Sequence, residues 1–192
     1  MKSVRDLTIR DRRILVRVDF NVPMEGERIT DDIRIRMALP TLEHIREMGG
    51  KLIICSHMGR PKGKRVKEFS LEPVAGHLAQ VMGCRVRLAP DCIGPEVERI
   101  VTEMESGDVL LLENLRFYEG ETANDPGFAG QLAGLADVYV NDAFAVSHRE
   151  HASVFGVPAL IKEKGAGFLL QKEMDYFHQA MDDPIRPLVA IV

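Results

Sequence analysis

The stretch Ile14-Leu15-Val16-Arg17-Val18-Asp19-Phe20-Asn21-Val22-Pro23 decides how the rest of the chain is read. Ile14, Val16, Val18, Phe20 and Val22 alternate with Leu15, Arg17, Asp19 and Asn21, a period of two that predicts a β-strand with one face apolar throughout. On the other face a guanidinium, a carboxylate and an amide follow one another. Burying such groups on a central strand is costly unless each has a partner, so Arg17, Asp19 and Asn21 are expected to face something polar.

Outward from this strand the chain alternates. Met24 to Ile29, with Gly26, reads as a turn, and Thr30, Asp31 and Asp32 offer cap side chains to a helix reaching Met48, with Pro40 as a kink. Its stripe is Ile35, Leu39, Leu42, Ile45 and Met48, and Gly49-Gly50 end it. Strand Lys51 to Ser56 leads into the cation-rich loop His57-Met-Gly-Arg-Pro-Lys-Gly-Lys-Arg65, then a helix from Leu71 to Met82. A strand at Val86 to Leu88, a helix ending near Glu105, and the unbroken apolar run Val109 to Leu112 follow; the last suits a strand covered on both faces. Glu113 to Asn124 reads as a polar loop, and Asp125-Pro126 as the cap and first turn of a helix to Leu135. Strand Asp137 to Val140, a less regular section to Gly165, a helix from Phe168 to Met181 and a last apolar strand, Leu188 to Val192, complete the chain.

Repeated strand–helix alternation with short connections predicts an α/β fold: a three-layer αβα sandwich on an open, mostly parallel, Rossmann-like sheet. The apolar runs fall short of the roughly 18 residues of a membrane span, and the N-terminus lacks the apolar segment of a signal peptide. A cytoplasmic location without membrane association is expected. Three cysteines, Cys55, Cys84 and Cys92, form no C-x-x-C pair and read as reduced structural thiols. A net charge of −4 argues against a nucleic-acid binder that works by phosphate neutralisation, so any anion site must be local.

In an open α/β sheet, ligands bind beyond the carboxyl ends of the strands. Those ends carry Arg17, Asp19 and Asn21; His57 and Arg60; Asn114 and Arg116; and Asn141, Asp142, His148 and Arg149. Arg34 falls in the first turn of the first helix, where a cation is disfavoured unless an anion is near. So many guanidinium groups on one rim of an acidic protein imply a small ligand with more than one anionic group. Other motifs fail. Only three residues separate Gly59 from Gly63, and Arg65 stands where a Walker A motif needs Ser or Thr. Gly165-Ala166-Gly167 lacks a third glycine, which counts against a dinucleotide-dependent oxidoreductase. His148 and His151 have no accompanying ligand set, so no metal site is expected.

Taken together, these motifs closely resemble the N-terminal domain of phosphoglycerate kinases. The resemblance rests on V-R-V-D-F-N-V-P (Val16 to Pro23), T-D-D-x-R-I (Thr30 to Ile35), L-P-T-L (Leu39 to Leu42), S-H-x-G-R-P (Ser56 to Pro61), L-L-E-N-L-R-F-Y (Leu111 to Tyr118), V-N-D-A-F (Val140 to Phe144) and H-R-x-H-A-S (His148 to Ser153). It implies a two-domain glycolytic phosphotransferase that moves a phosphoryl group between 1,3-bisphosphoglycerate and ADP. Residues 1–166 would then be the phosphoglycerate-binding domain, 167–183 an interdomain helix, and 184–192 the first strand of a missing C-terminal domain that binds Mg-ATP or Mg-ADP. No cofactor or metal would be held by these residues.

By the same resemblance, Asp19 and Asn21 bind the hydroxyl and carboxylate region of 3-phosphoglycerate, and His57, Arg60, Arg116 and Arg149 hold its non-transferring phosphate. Arg17 supports the pocket, and Arg34 serves the transferring phosphoryl group as the catalytic residue. A monomer that binds substrate without catalysing transfer is expected; a non-catalytic α/β module binding anions or a partner is the alternative. One segment departs from the family pattern: D-A-F-G-T-A-H-R-A-H is replaced by Asp142-Ala-Phe-Ala145-Val146-Ser147-His148-Arg149-Glu150-His151.

Overall fold

The computed structural model describes residues 2–182, 184 and 186. Strand β1 (Arg13–Arg17) is followed by a small antiparallel hairpin, β2 (Met24–Glu25) and β3 (Arg28–Ile29), whose turn uses Gly26 at φ 62°. Helix α1 (Ile33–Glu47) continues through Pro40, and β4 (Lys51–Cys55), α2 (Glu72–Met82), β5 (Val86–Leu88), α3 (Pro95–Thr102) and β6 (Val109–Leu111) succeed it. The polar loop expected after β6 contains a short helix, α4 (Glu119–Ala123). Then come α5 (Pro126–Gly134), β7 (Val138–Asn141), α6 (Val157–Leu160), β8 (Glu163–Ala166) and α7 (Phe168–Asp182). The Asp125 cap is as the sequence predicts: its carboxylate accepts the Phe128 N–H at 2.8 Å, with Pro126 opening the helix.

Six strands form one sheet in the order β5-β6-β4-β1-β7-β8, every pair parallel. Alternate strand residues point into two separate cores. Ile14, Val16, Leu52, Ile54, Val109, Leu111, Val138 and Val140 pack with α1 and α2 on one face; Leu15, Ile53, Leu110 and Tyr139 pack with α3 and α5 on the other. This is the three-layer arrangement expected of a parallel sheet covered on both faces. Winding reverses at β1, with β4 on one side and β7 on the other, so the ends of these strands open onto a common crevice.

Two expectations are corrected in detail. The first strand does not run to Pro23: its ladders end where Arg17 pairs with Cys55 and Asn141. Val18, Phe20 and Val22 nevertheless stay buried in the core of Ile14 and Val16, because the Ser56 hydroxyl takes over as acceptor of the Phe20 N–H at 2.9 Å. The section before Gly165 is more regular than predicted, since Glu163–Ala166 forms an edge strand. Its charges and glycine hide any alternation; pairing with β7 defines it. The predicted strand at residues 188–192 lies outside the described residues.

Candidate functional site

Arg17, the last residue of β1, is fully buried. Its Nε–H donates to Ser153 Oγ at 2.8 Å, one Nη donates to the Val18 carbonyl, and the other lies 3.1 Å from His57 Nδ1. Ser153 is held at three points. Its hydroxyl donates to Glu121 Oε1 at 2.7 Å, its N–H to Glu121 Oε2 at 2.9 Å, and its carbonyl accepts the Tyr139 hydroxyl at 2.7 Å. Glu121 is itself fully buried, and a buried acid answering a buried guanidinium through one hydroxyl offsets part of the cost of burying either.

His57 follows β4 and is also buried. Burial, and next the fields of Arg17, Arg116, Arg149 and His151, push its pKa down to about 2, so the ring is neutral. Asp19 Oδ1 stands 3.9 Å from His57 Nδ1, beyond hydrogen-bond range. Asp19 is engaged elsewhere: Oδ2 accepts from Arg34 at 2.6 Å, and Oδ1 accepts the Asn21 N–H at 3.2 Å. Asn21 uses its amide oxygen to accept the Gly59 N–H at 2.8 Å, which fastens the cation-rich loop to the end of β1 and leaves the Asn21 NH2 as a donor. Gly59 has φ 58°, and a Cβ there would come within 2.3 Å of the Phe69 ring, so backbone angle and space both demand glycine.

Five of the predicted residues line two clefts, and Arg17, Asn21 and His57 line neither. Arg60, Arg116 and Arg149 line one of about 280 Å³, together with Lys62 and His151. Asp19 and Arg34 line the other, of about 190 Å³, with Asp142, Phe144 and Leu169. Arg17 and His57 are buried and linked to each other, and His57 stands 3.9 Å from Asp19 while feeling the charges of Arg116 and Arg149. Burial first, and then Arg149 and Arg17, lower the pKa of Arg116: these cations crowd one another. Arg116 is anchored by a 2.7 Å bond to the Gly59 carbonyl while its buried Nε has no partner among the described residues. Crowded, partly unpartnered guanidinium groups are what an anion would satisfy.

Other strand-end residues have structural roles. Asn114 is buried and bonds the backbone of Met58, Phe69 and Arg116, so it latches loops together. Asn141 bonds Ser147 and the Ala143 N–H, and His148 is exposed. Asp142 turns toward α7, where Oδ1 accepts the Leu170 N–H at 3.1 Å, and burial raises its pKa to about 6. The sequence reading missed Glu121 and Ser153 as parts of the site and did not include Lys62. An acid inside a polar loop carries no burial signal of its own. The departing segment is accommodated: Ala145 has no left-handed backbone, and Ser147 Oγ bonds the Ala143 carbonyl at 2.9 Å and Asn141 Nδ2 at 3.0 Å. Among the described residues no three Asp, Glu, His or Cys side chains gather into a metal site, and guanidinium groups, which offer only N–H donors, do not suit magnesium, a cation that takes oxygen ligands.

The phosphoglycerate kinase family profile matches residues 4–192. Phosphoglycerate kinase of Desulfotalea psychrophila is 68% identical over 193 residues, an alignment covering 100% of this chain and 49% of that relative. That of Syntrophobacter fumaroxidans is 54% identical with the same coverage of each. Among solved structures, phosphoglycerate kinase from Coxiella burnetii superposes with TM-score 0.88 at 40% identity, over 100% of this chain and 48% of that one. Phosphoglycerate kinase from Pyrococcus horikoshii OT3 gives TM-score 0.88 at 30% identity, over 97% and 47%. The chain spans about half the length of the curated relatives it matches. With the family profile spanning residues 4–192 and relatives and solved structures of the same family aligning over the whole chain, the chain belongs to the phosphoglycerate kinase family.

Proposed function

We propose that these residues form the acid-substrate half of a cytoplasmic, monomeric phosphoglycerate kinase, binding 3-phosphoglycerate or 1,3-bisphosphoglycerate for phosphoryl exchange with ADP or ATP. Residues 1–166 form the binding domain and 167–183 the interdomain helix. The nucleotide and its magnesium belong to the remaining half of the longer relatives. The observation that carries this reading is the cleft lined by Arg60, Arg116 and Arg149 together with a second cleft lined by Asp19 and Arg34.

The two clefts suit the two ends of a short molecule that carries a phosphate at one end and a carboxylate or acyl phosphate at the other. Arg60, Arg116, Arg149 and His57 take the phosphate that stays on the substrate. Asp19 and Asn21 orient its hydroxyl and carboxylate. Arg34, half exposed and aimed by Asp19, meets charge on the transferring group. The acceptor is a carboxylate, already ionised at neutral pH, so positioning and electrostatics suffice and no general base is required.

Calorimetric titration tests the proposal. Saturable binding of 3-phosphoglycerate is expected, with a loss of tenfold or more in Arg60→Ala and no phosphoryl transfer by the 192 residues alone. Equal affinity for sulfate would favour a non-catalytic anion module, and ADP binding of comparable strength to the same residues would overturn the division of labour.

A further inference from the structure

The contact between Arg17 and His57 has a chemical direction. A guanidinium carries only donors, so at 3.1 Å from Nδ1 it fixes that nitrogen as the acceptor and places the ring proton on Nε2. Arg17 cannot readily turn away. Its Nε–H is fixed on Ser153 Oγ, that hydroxyl spends its own proton on Glu121 Oε1, and Glu121 Oε2 holds the Ser153 backbone. The chain of contacts therefore runs from a buried carboxylate on α4 through one hydroxyl and one guanidinium to the His57 ring. Charged and titratable groups facing His57 are Arg17 from β1, Arg116 after β6, and Arg149 and His151 after β7, with Asp19 the acid on its side. Asp19 already serves Arg34 and the Asn21 N–H.

We propose that Arg17 is a positioning residue that holds His57 in its neutral Nε2–H form, so that His57 meets an anion as an uncharged hydrogen-bond donor, and that Glu121 aims Arg17 through the Ser153 hydroxyl. The identity of the anion rests on the reading above; the tautomer does not. Binding then needs no protonation of His57, which separates it from histidines that sense pH near neutrality.

Long-range proton–nitrogen NMR of the ligand-free chain tests this, with His57 assigned by its loss in His57→Gln. The expected result is a bare Nδ1 and a protonated Nε2, unchanged from about pH 8 to about pH 5. Ser153→Ala is expected to mix the two tautomers between about pH 5 and pH 8, with Glu121→Gln acting in the same direction where it folds. A protonated Nδ1 in the parent chain, or a midpoint near the ordinary histidine value, overturns the proposal, as does an unaltered ring in a folded Ser153→Ala. A parallel titration with 3-phosphoglycerate keeps the readings apart: the tautomer without binding defeats the substrate assignment alone, and binding with the other tautomer defeats this inference alone.

Discussion

Nη1 of Arg34 sits 2.6 Å from Oδ2 of Asp19, while the other oxygen of that carboxylate is taken by the Asn21 N–H at 3.2 Å. Asp19 thus aims a guanidinium that is half exposed, and a pair of that kind contributes only about 0–1 kcal/mol to stability. Asp19→Asn is expected to shift unfolding by less than about 1 kcal/mol while weakening 3-phosphoglycerate binding about tenfold. Denaturant unfolding and calorimetry on one preparation check both halves; a stability loss as large as the affinity loss would make Asp19 a fold residue instead.

Asp142 gives a pH signature of opposite sign to an ordinary ion-paired acid. Burial raises its folded pKa to about 6, above its ordinary value, so the stability linked to its protonated form is full below about pH 4 and is lost as pH rises through about 6. The loss is on the order of 2–3 kcal/mol. Melting temperatures across pH 4 to 8 should therefore show a decline through this window that Asp142→Asn removes, after subtraction of the common baseline. Parallel profiles for both proteins would sink the assignment.

Gly59 offers a test of the loop that carries Arg60. With φ 58° and the Phe69 ring 2.3 Å from where an added methyl group would stand, Gly59→Ala is expected to cost more than about 1 kcal/mol and to reduce 3-phosphoglycerate affinity, since the Asn21 and Arg116 contacts to residue 59 are disturbed together. Gly76→Ala, which meets open space in α2, is the control and should be near neutral or stabilising.

Ionic strength should weaken substrate binding. The cleft of Arg60, Arg116 and Arg149 opens to solvent, where charge pairs are screened over about 10 Å at 0.1 M salt. Calorimetric affinity measured in rising potassium chloride is expected to fall steadily; a salt-independent affinity would contradict a site dominated by guanidinium groups.

Much of this is legible in the amino-acid sequence alone. Apolar alternation and the continuous run at Val109 predict a parallel sheet, and collecting the residues after each strand brings Arg17, Arg34, His57, Arg60, Arg116 and Arg149 to one rim. What is not legible depends on contacts distant in sequence. Glu121 becomes a buried counter-charge only because Ser153, 32 residues later, is packed onto it. Asn114 looks like a ligand residue because its side chain and a ligand residue's satisfy the same donors and acceptors, and only the folded loops show that backbone groups claim them. Glu163–Ala166 has no strand pattern of its own; its neighbour supplies the ladder.

The adjacency of β6, β4, β1 and β7 has a metric consequence. Parallel neighbours stand about 4.8 Å apart, so the four strand ends that feed the clefts span about 14 Å. Under the function proposed above, the sheet is in effect a ruler laid under the ligand: it can serve charges at both ends of a three-carbon acid, and a longer polyanion would have to extend past its last graduation.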